Sequence, residues 1–97
     1  YNNYGSLLQS KKDYVEAINM LNESLKLRQQ LQDKFGIASN LGNIGIVYKN
    51  QSDYPKALEY YYKALKTNEE LSYKKGTAIN LENIGSIYKF QSKVFII

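Results

Sequence analysis

Asparagine recurs in this chain at a fixed interval, with Asn3, Asn43 and Asn83 standing forty residues apart. A side-chain amide offers a donor and an acceptor together, so it can pair with the C=O and N–H of an extended peptide backbone whatever the peptide's sequence. A column of such amides would hold a strand-like ligand; the structural alternative is that the amides bridge neighbouring helices and satisfy one another. Little else in the chain could do chemistry. Histidine and cysteine are absent, which removes thiolate metal ligands, disulfides and the commonest general base. Glu69 and Glu70 are adjacent carboxylates, but successive residues on a helix diverge by about 100° and cannot share a proton or a metal. No glycine loop suited to a phosphate is present. The residues predict a binding protein rather than an enzyme, with no cofactor and no metal.

The forty-residue interval belongs to the whole chain. Gly5, Gly45 and Gly85 share one phase of it and Gly36 and Gly76 another, and 11 of 19 positions are identical between residues 36–54 and 76–94. That identity, without an insertion, marks a true internal repeat. Periods of this length characterise solenoids, in which each unit buries its apolar face against its neighbours. The units run over residues 1–36, 37–76 and, in part, 77–97. Because the chain opens at Tyr1 inside a unit, it reads as a piece of a longer protein, and the compartment stays open with the cytoplasm favoured.

Each unit reads as a pair of helices. Leu41, Ile44, Gly45 and Tyr48 fall at the spacing that gathers one helical face. Asn50 to Asp53 interrupt it, with Asp53 suited to cap a second helix and Pro55 tolerated in its first turn. That helix carries Tyr54, Ala57, Leu58, Tyr61, Ala64 and Leu65. In the first unit Asp13 and Glu16 fit a capping box ahead of Ala17 and Leu21, while Gly36 and Gly76 read as turns between units. Five helices are predicted, at about 1–10, 13–33, 37–50, 53–73 and 77–91. Gly45 and Ala57 should mark the crossing of the two helices in a unit, where small side chains let the axes approach to about 8–10 Å.

Leu41, Ile44, Gly45, Tyr48, Ala57, Tyr61 and Ala64, echoed by Leu81, Ile84, Gly85 and Tyr88 and by Gly5, Ala17 and Leu21, resemble the tetratricopeptide-repeat signature over nearly the whole chain. The forty-residue period exceeds the family's usual value of about 34, and the proline that normally closes a unit is missing. In both respects the chain is similar to the long-repeat branch found in kinesin light chains, cell-polarity adaptors and bacterial peptide-responsive regulators. The resemblance implies an all-α, right-handed solenoid of antiparallel helix pairs, about two and a half repeats long. It further implies a peptide-binding scaffold without catalysis, whose first helices line a concave surface.

On that concave surface a helical wheel places Asn3, Asn43 and Asn83 one above another, joined by Ile46, Asn50 and Ser86 and rimmed by Lys49 and Lys89. Asn40 and Asn80 lie further round, where bridging between helices is favoured. The family's clamp for C-terminal carboxylates needs basic residues at positions held here by Asn2, Ser6, Ile79 and Asn83, which argues against a chaperone-tail receptor. Tyr60 and Tyr62 read as packing residues beside the core Tyr61.

Net charge is +4, yet the basic residues are interleaved with Glu16, Glu23, Asp53, Glu59 and Glu82, whereas nucleic-acid binders concentrate them on one face. A protein or peptide partner is therefore predicted, with no nucleic acid and no membrane span in this segment. At the C-terminal end Lys93, Val94, Phe95, Ile96 and Ile97 stand where the complete unit has Asp53 to Ala57, so the third unit lacks a cap and a small crossing residue for a second helix. Its first helix is left uncovered and free to run on past Ser92. The alternative function is thus self-assembly to homo-oligomers by stacking or swapping, through Leu81, Ile84, Tyr88 and Phe95.

Overall fold

The computed structural model describes residues 11–96 and, within them, the side chains of residues 13–92. Four helices follow one another: α1 (Lys11–Gln30), α2 (Lys34–Asn50), α3 (Tyr54–Glu70) and α4 (Lys74–Ile96). Four are seen where five were predicted, because the helix expected at 1–10 lies outside the described residues. No strand occurs among the described residues. Each helix packs on the one before it and the one after it, as short connections between helices require. No helix among them is long and apolar enough to cross a membrane.

The forty-residue period has a simple origin: α2 and α3 are each 17 residues long, and each is followed by a three-residue turn, 51–53 or 71–73. All three turns end a helix in the same way. Gln32, Ser52 and Ser72 adopt left-handed backbone, with φ of 57°, 65° and 54°. The next amide reaches back five residues, from Asp33, Asp53 and Tyr73 to the carbonyls of Arg28, Tyr48 and Asn68, at 2.9 Å in each case. This is the Schellman arrangement, in which late carbonyls of the helix regain donors. A non-glycine residue in that conformation is disfavoured by roughly 1–2 kcal/mol, and the regained hydrogen bonds offset it.

Glycine therefore does not make the turns. Gly36 and Gly76 stand inside the first turns of α2 and α4, and no described glycine has positive φ. Their role is close approach. A Cβ on Gly36 would collide with Arg28 and Asp33, and one on Gly76 would stand 2.7 Å from Cγ of Asn68. The first helix of each unit begins three residues earlier than its apolar pattern shows. At α2 the Asp33 carboxylate caps it, accepting from the Gly36 amide at 3.0 Å. That bond and, second to it, the Arg28 guanidinium at 2.6 Å hold the Asp33 carboxyl below its usual range. Asp53 caps α3 as predicted, accepting from the Lys56 amide, with Pro55 in the first turn. Asp13 instead lies within the first turn of α1, where a carboxylate favours the helix dipole. With nothing to break it after Tyr88, α4 continues to Ile96 rather than ending at 91.

The core sits where α3 crosses its neighbours. Ala57, Tyr61 and Ala64 on α3 are fully buried, as is Ile44 on α2, while Ile84 and Ile87 reach in from α4. At the α2–α3 crossing, a Cβ on Gly45 would lie 2.7 Å from the Tyr61 ring and 3.2 Å from the Ala57 carbonyl oxygen. The aromatic ring rests on bare backbone there, and Ala57 adds only a methyl group. Gly85 is the corresponding residue of the next unit, and nothing lies within 4 Å of its Cβ position. Gly45→Ala must displace a buried ring and is expected to destabilise the protein within the roughly 1–3 kcal/mol range of overpacking. Gly85→Ala gains helix propensity without a collision and is expected to stabilise by about 0.5–1 kcal/mol. Urea denaturation of the two variants in dilute solution checks the contrast; equal effects would refute the crossing.

Burial also raises the Tyr61 phenol to about 12 from an ordinary 10.0, and its hydroxyl has no hydrogen-bond partner among the described residues. The neutral form is therefore favoured in the folded state. Its contribution to stability is complete below the unfolded value of 10.0 and is lost as pH rises toward about 12, because the unfolded chain releases this proton first. Tyr61→Phe is expected to keep the fold and to reduce the loss of stability in that alkaline window, measured by denaturation at stepped pH.

Candidate functional site

The first helices of the second and third units, α2 and α4, lie side by side and enclose a groove of about 390 Å³. Its floor is polar and buried. Asn68, from the last turn of α3, donates its Nδ2 to Oδ1 of Asn80 on α4 at 2.6 Å, and both side chains are shielded from solvent. Gly76 makes room for this pair, since a Cβ there would strike Asn68, whereas a Cβ on Gly42 would stand at an ordinary contact distance of 3.9 Å from the Asn80 amide nitrogen. Above the floor stand Ser39 and Asn43 on α2 and Asn83 on α4. Ile46 and Ile79 add exposed aliphatic surface from the two helices, and Phe35 and Tyr73 close one end with edge-to-face rings 5.3 Å apart. Among the described residues, no charged side chain lines the groove. Its chemistry is that of amides and hydroxyls beside apolar anchors, which suits a neutral, extended segment.

Helix pairs of fixed length, a glycine and alanine crossing and repetition every forty residues are joined by a direct match. A family model described as tetratricopeptide repeat matches residues 1–70 and 36–93. The chain belongs to the tetratricopeptide repeat family. Repeats of this family generally mediate protein–protein interaction and serve as scaffolds without catalysis. No curated protein and no solved structure matches the chain significantly.

The two units of this tetratricopeptide array differ at the groove floor. Where the later unit has Asn68, the earlier one has Arg28, and where it has Asn80, the earlier one has Asn40. The arginine turns to Asp33 instead, and the buried Nε of Arg28 and Nδ2 of Asn40 have no partner among the described residues. The Asn40 amide oxygen could accept from a guanidinium, but Arg28 is drawn to the Asp33 carboxylate, a stronger, charged acceptor.

Among the residues singled out from sequence, Asn43, Asn83 and Ile46 line the groove. Lys49, Asn50, Ser86 and Lys89 are exposed on the same helices but outside its lining, and the Asn50 carbonyl accepts a hydrogen bond from the Tyr14 phenol at 3.2 Å. Asn3 lies outside the described residues. Tyr60 stacks on Tyr48 with ring centres 5.7 Å apart and Tyr61 is buried in the core, whereas Tyr62 stays exposed, its hydroxyl meeting that of Tyr88 at 3.4 Å.

At the far end Leu81 and Tyr88 are exposed, the side chain of Phe95 lies outside those described, and Ile84 is only 6% exposed. Ile84 belongs to the core with Ala57, Tyr61 and Ile87, because the helix of the preceding unit already covers that face of α4. Sequence reading missed Phe35 and Tyr73 as an aromatic end wall. Phe35 lies in the first turn of α2 and Tyr73 in the 71–73 turn before α4, and only the packing of successive units brings them together. The Asn68–Asn80 pair yields a test: Asn80→Ala strands the Asn68 amide in the interior and is expected to cost about 1–3 kcal/mol. Removing both amides is expected to cost less than the sum of the single losses, read from a denaturation double-mutant cycle.

Proposed function

We propose that the protein is an interaction scaffold whose groove between α2 and α4 takes an extended, uncharged peptide segment. The observation that carries this reading is the lining itself, with Asn43 and Asn83 placed beside aliphatic and aromatic surface and no charge among them. The two amides would bond the peptide backbone, and Ile46, Ile79, Phe35 and Tyr73 would take an apolar side chain. Asn3 would extend the amide column in the preceding unit, and Lys49, Asn50, Ser86 and Lys89 would meet residues leaving the groove. The forty-residue period supports placing the chain with the long-repeat branch of its family and, with it, a right-handed solenoid.

An array of neutral peptides, each carrying one large aliphatic or aromatic residue, tests the reading by fluorescence polarisation. Asn43→Ala with Asn83→Ala is expected to weaken binding by about 0.5–1.5 kcal/mol for each net hydrogen bond lost. Ile79→Asp is expected to abolish it, with helical circular dichroism unchanged. Preference for acidic or C-terminal carboxylate peptides, insensitive to these changes, would refute the proposal.

Self-assembly is the second reading, and the exposure of Leu81 and Tyr88 on α4 favours it. Ile84 would support that surface from beneath, and Phe95 lies further along the same helix.

A further inference from the structure

The bond that closes the groove floor uses only part of what its two amides offer. Asn68 and Asn80 are each 5% exposed and both line the groove, so two buried polar side chains are aimed into it. Their bond takes one N–H of Asn68 and Oδ1 of Asn80. Oδ1 of Asn68 and the N–H groups of Asn80 have no partner among the described residues, yet neither atom is sealed in as Nδ2 of Asn40 is. Nδ2 of Asn80 points across to α2, where it is the one described atom beyond that helix within 4 Å of the Gly42 Cβ position. Oδ1 of Asn68 lies against the bare backbone of Gly76, 2.8 Å from its Cβ position. A free donor and a free acceptor thus stand together at the bottom of the groove. The site is internal to the array, built from α2, α3 and α4 between Phe35 and Asn83.

A primary carboxamide carries the matching pair in one planar group, since its oxygen accepts from Asn80 while its NH2 donates to Asn68. Turning both floor amides over exchanges their roles and leaves the match intact. Depth decides which part of a peptide arrives there. Asn43 is exposed, Asn83 half-buried and Asn80 buried, so a ligand's backbone meets the upper two and a side chain descends to the third. Charged side chains fit badly. A carboxylate sets an acceptor against Oδ1 of Asn68, an ammonium brings no acceptor for Asn80, and no charged side chain among the described residues lines the groove to offset either. An apolar side chain would strip water from both floor groups and return no hydrogen bond.

We propose that the Asn68–Asn80 floor is a specificity site for a carboxamide side chain of the bound peptide, glutamine before asparagine because of its longer reach. This rests on the peptide-binding reading and names the side chain that the groove selects.

Fluorescence polarisation tests it with end-blocked peptides that carry one leucine or phenylalanine and, at a neighbouring position, glutamine, asparagine, glutamate or methionine. The full 97-residue chain is expected to bind the glutamine peptide about tenfold more tightly than the similarly shaped glutamate or methionine peptide. The same peptide is expected to shift the side-chain NH2 signals of Asn80 in NMR spectra. Gly42→Ala favours the helix and sets a methyl group over the Asn80 amide; it is expected to bring the glutamine and methionine peptides close to parity with helicity kept. Asn80→Asp still accepts from Asn68 but turns the free donor into an acceptor, and it is expected to remove the preference as well. If no neutral peptide binds, the peptide reading and the floor site both fall. Binding that weakens with Asn43→Ala and Asn83→Ala, yet is equal for glutamine and methionine, overturns the floor site and leaves the peptide reading standing. A glutamine preference that survives both Gly42→Ala and Asn80→Asp overturns the floor site too.

Discussion

The contact of the Tyr61 ring with the bare backbone of Gly45 governs the rest of the structure. A Cβ at Gly45 would lie 2.7 Å from that ring, so the separation of α2 and α3 is set by the absence of one atom. Together with the packing of Ile84 and Ile87 on the other side of Tyr61 and Ala57, that separation sets how far apart the first helices of successive units stand. Ala57 and Ala64 beside the ring are fully buried, and larger residues there would tilt the axes. Helix packing of this kind depends on shape more than on hydrophobic content.

Polar groups act on a second level. The Asn68–Asn80 bond ties the end of α3 to α4 beneath the groove, so the floor of the candidate site is also a joint between units. Such a bond adds only a modest net stabilisation, but leaving either amide unpaired in the interior costs more. The joint therefore fixes the register of α4 more than it strengthens the fold. Among the described residues, Arg28 and Asn40 do not make the corresponding bond in the earlier unit.

The periodicity, the helix pairs and the crossing residues were legible in the sequence because glycine and alanine at fixed phases of a helical pattern mark where two backbones must come close. The bridging role favoured for Asn80 was legible from its angle on the helical wheel. Three features were not. Gly36 and Gly76 look like turn residues because glycine favours turns, whereas Gln32 and Ser72 carry the left-handed conformation and the glycines admit Arg28 and Asn68. The burial of Ile84 depends on the preceding unit covering that face of α4, a contact between units that a wheel drawn for one helix omits. Phe35 and Tyr73 meet from the starts of successive units, and no local pattern pairs them.

Repetition ties the two functional readings to one helix. Stacking first helices makes a groove on one side of α4, and Leu81, Gly85 and Tyr88 stand exposed on another side of it among the described residues. Asn83 and Gly85 are two residues apart, so they point about 160° from each other on an α-helix. A ligand in the groove and a second copy on the open face would thus occupy opposite sides of α4 without competing for surface. They would still share the helix, whose position is held between them by Ile84, Ile87 and Asn80. Any adjustment of α4 that narrows the groove at Asn83 must move Gly85 with it, because the two residues belong to the same turn of one helix.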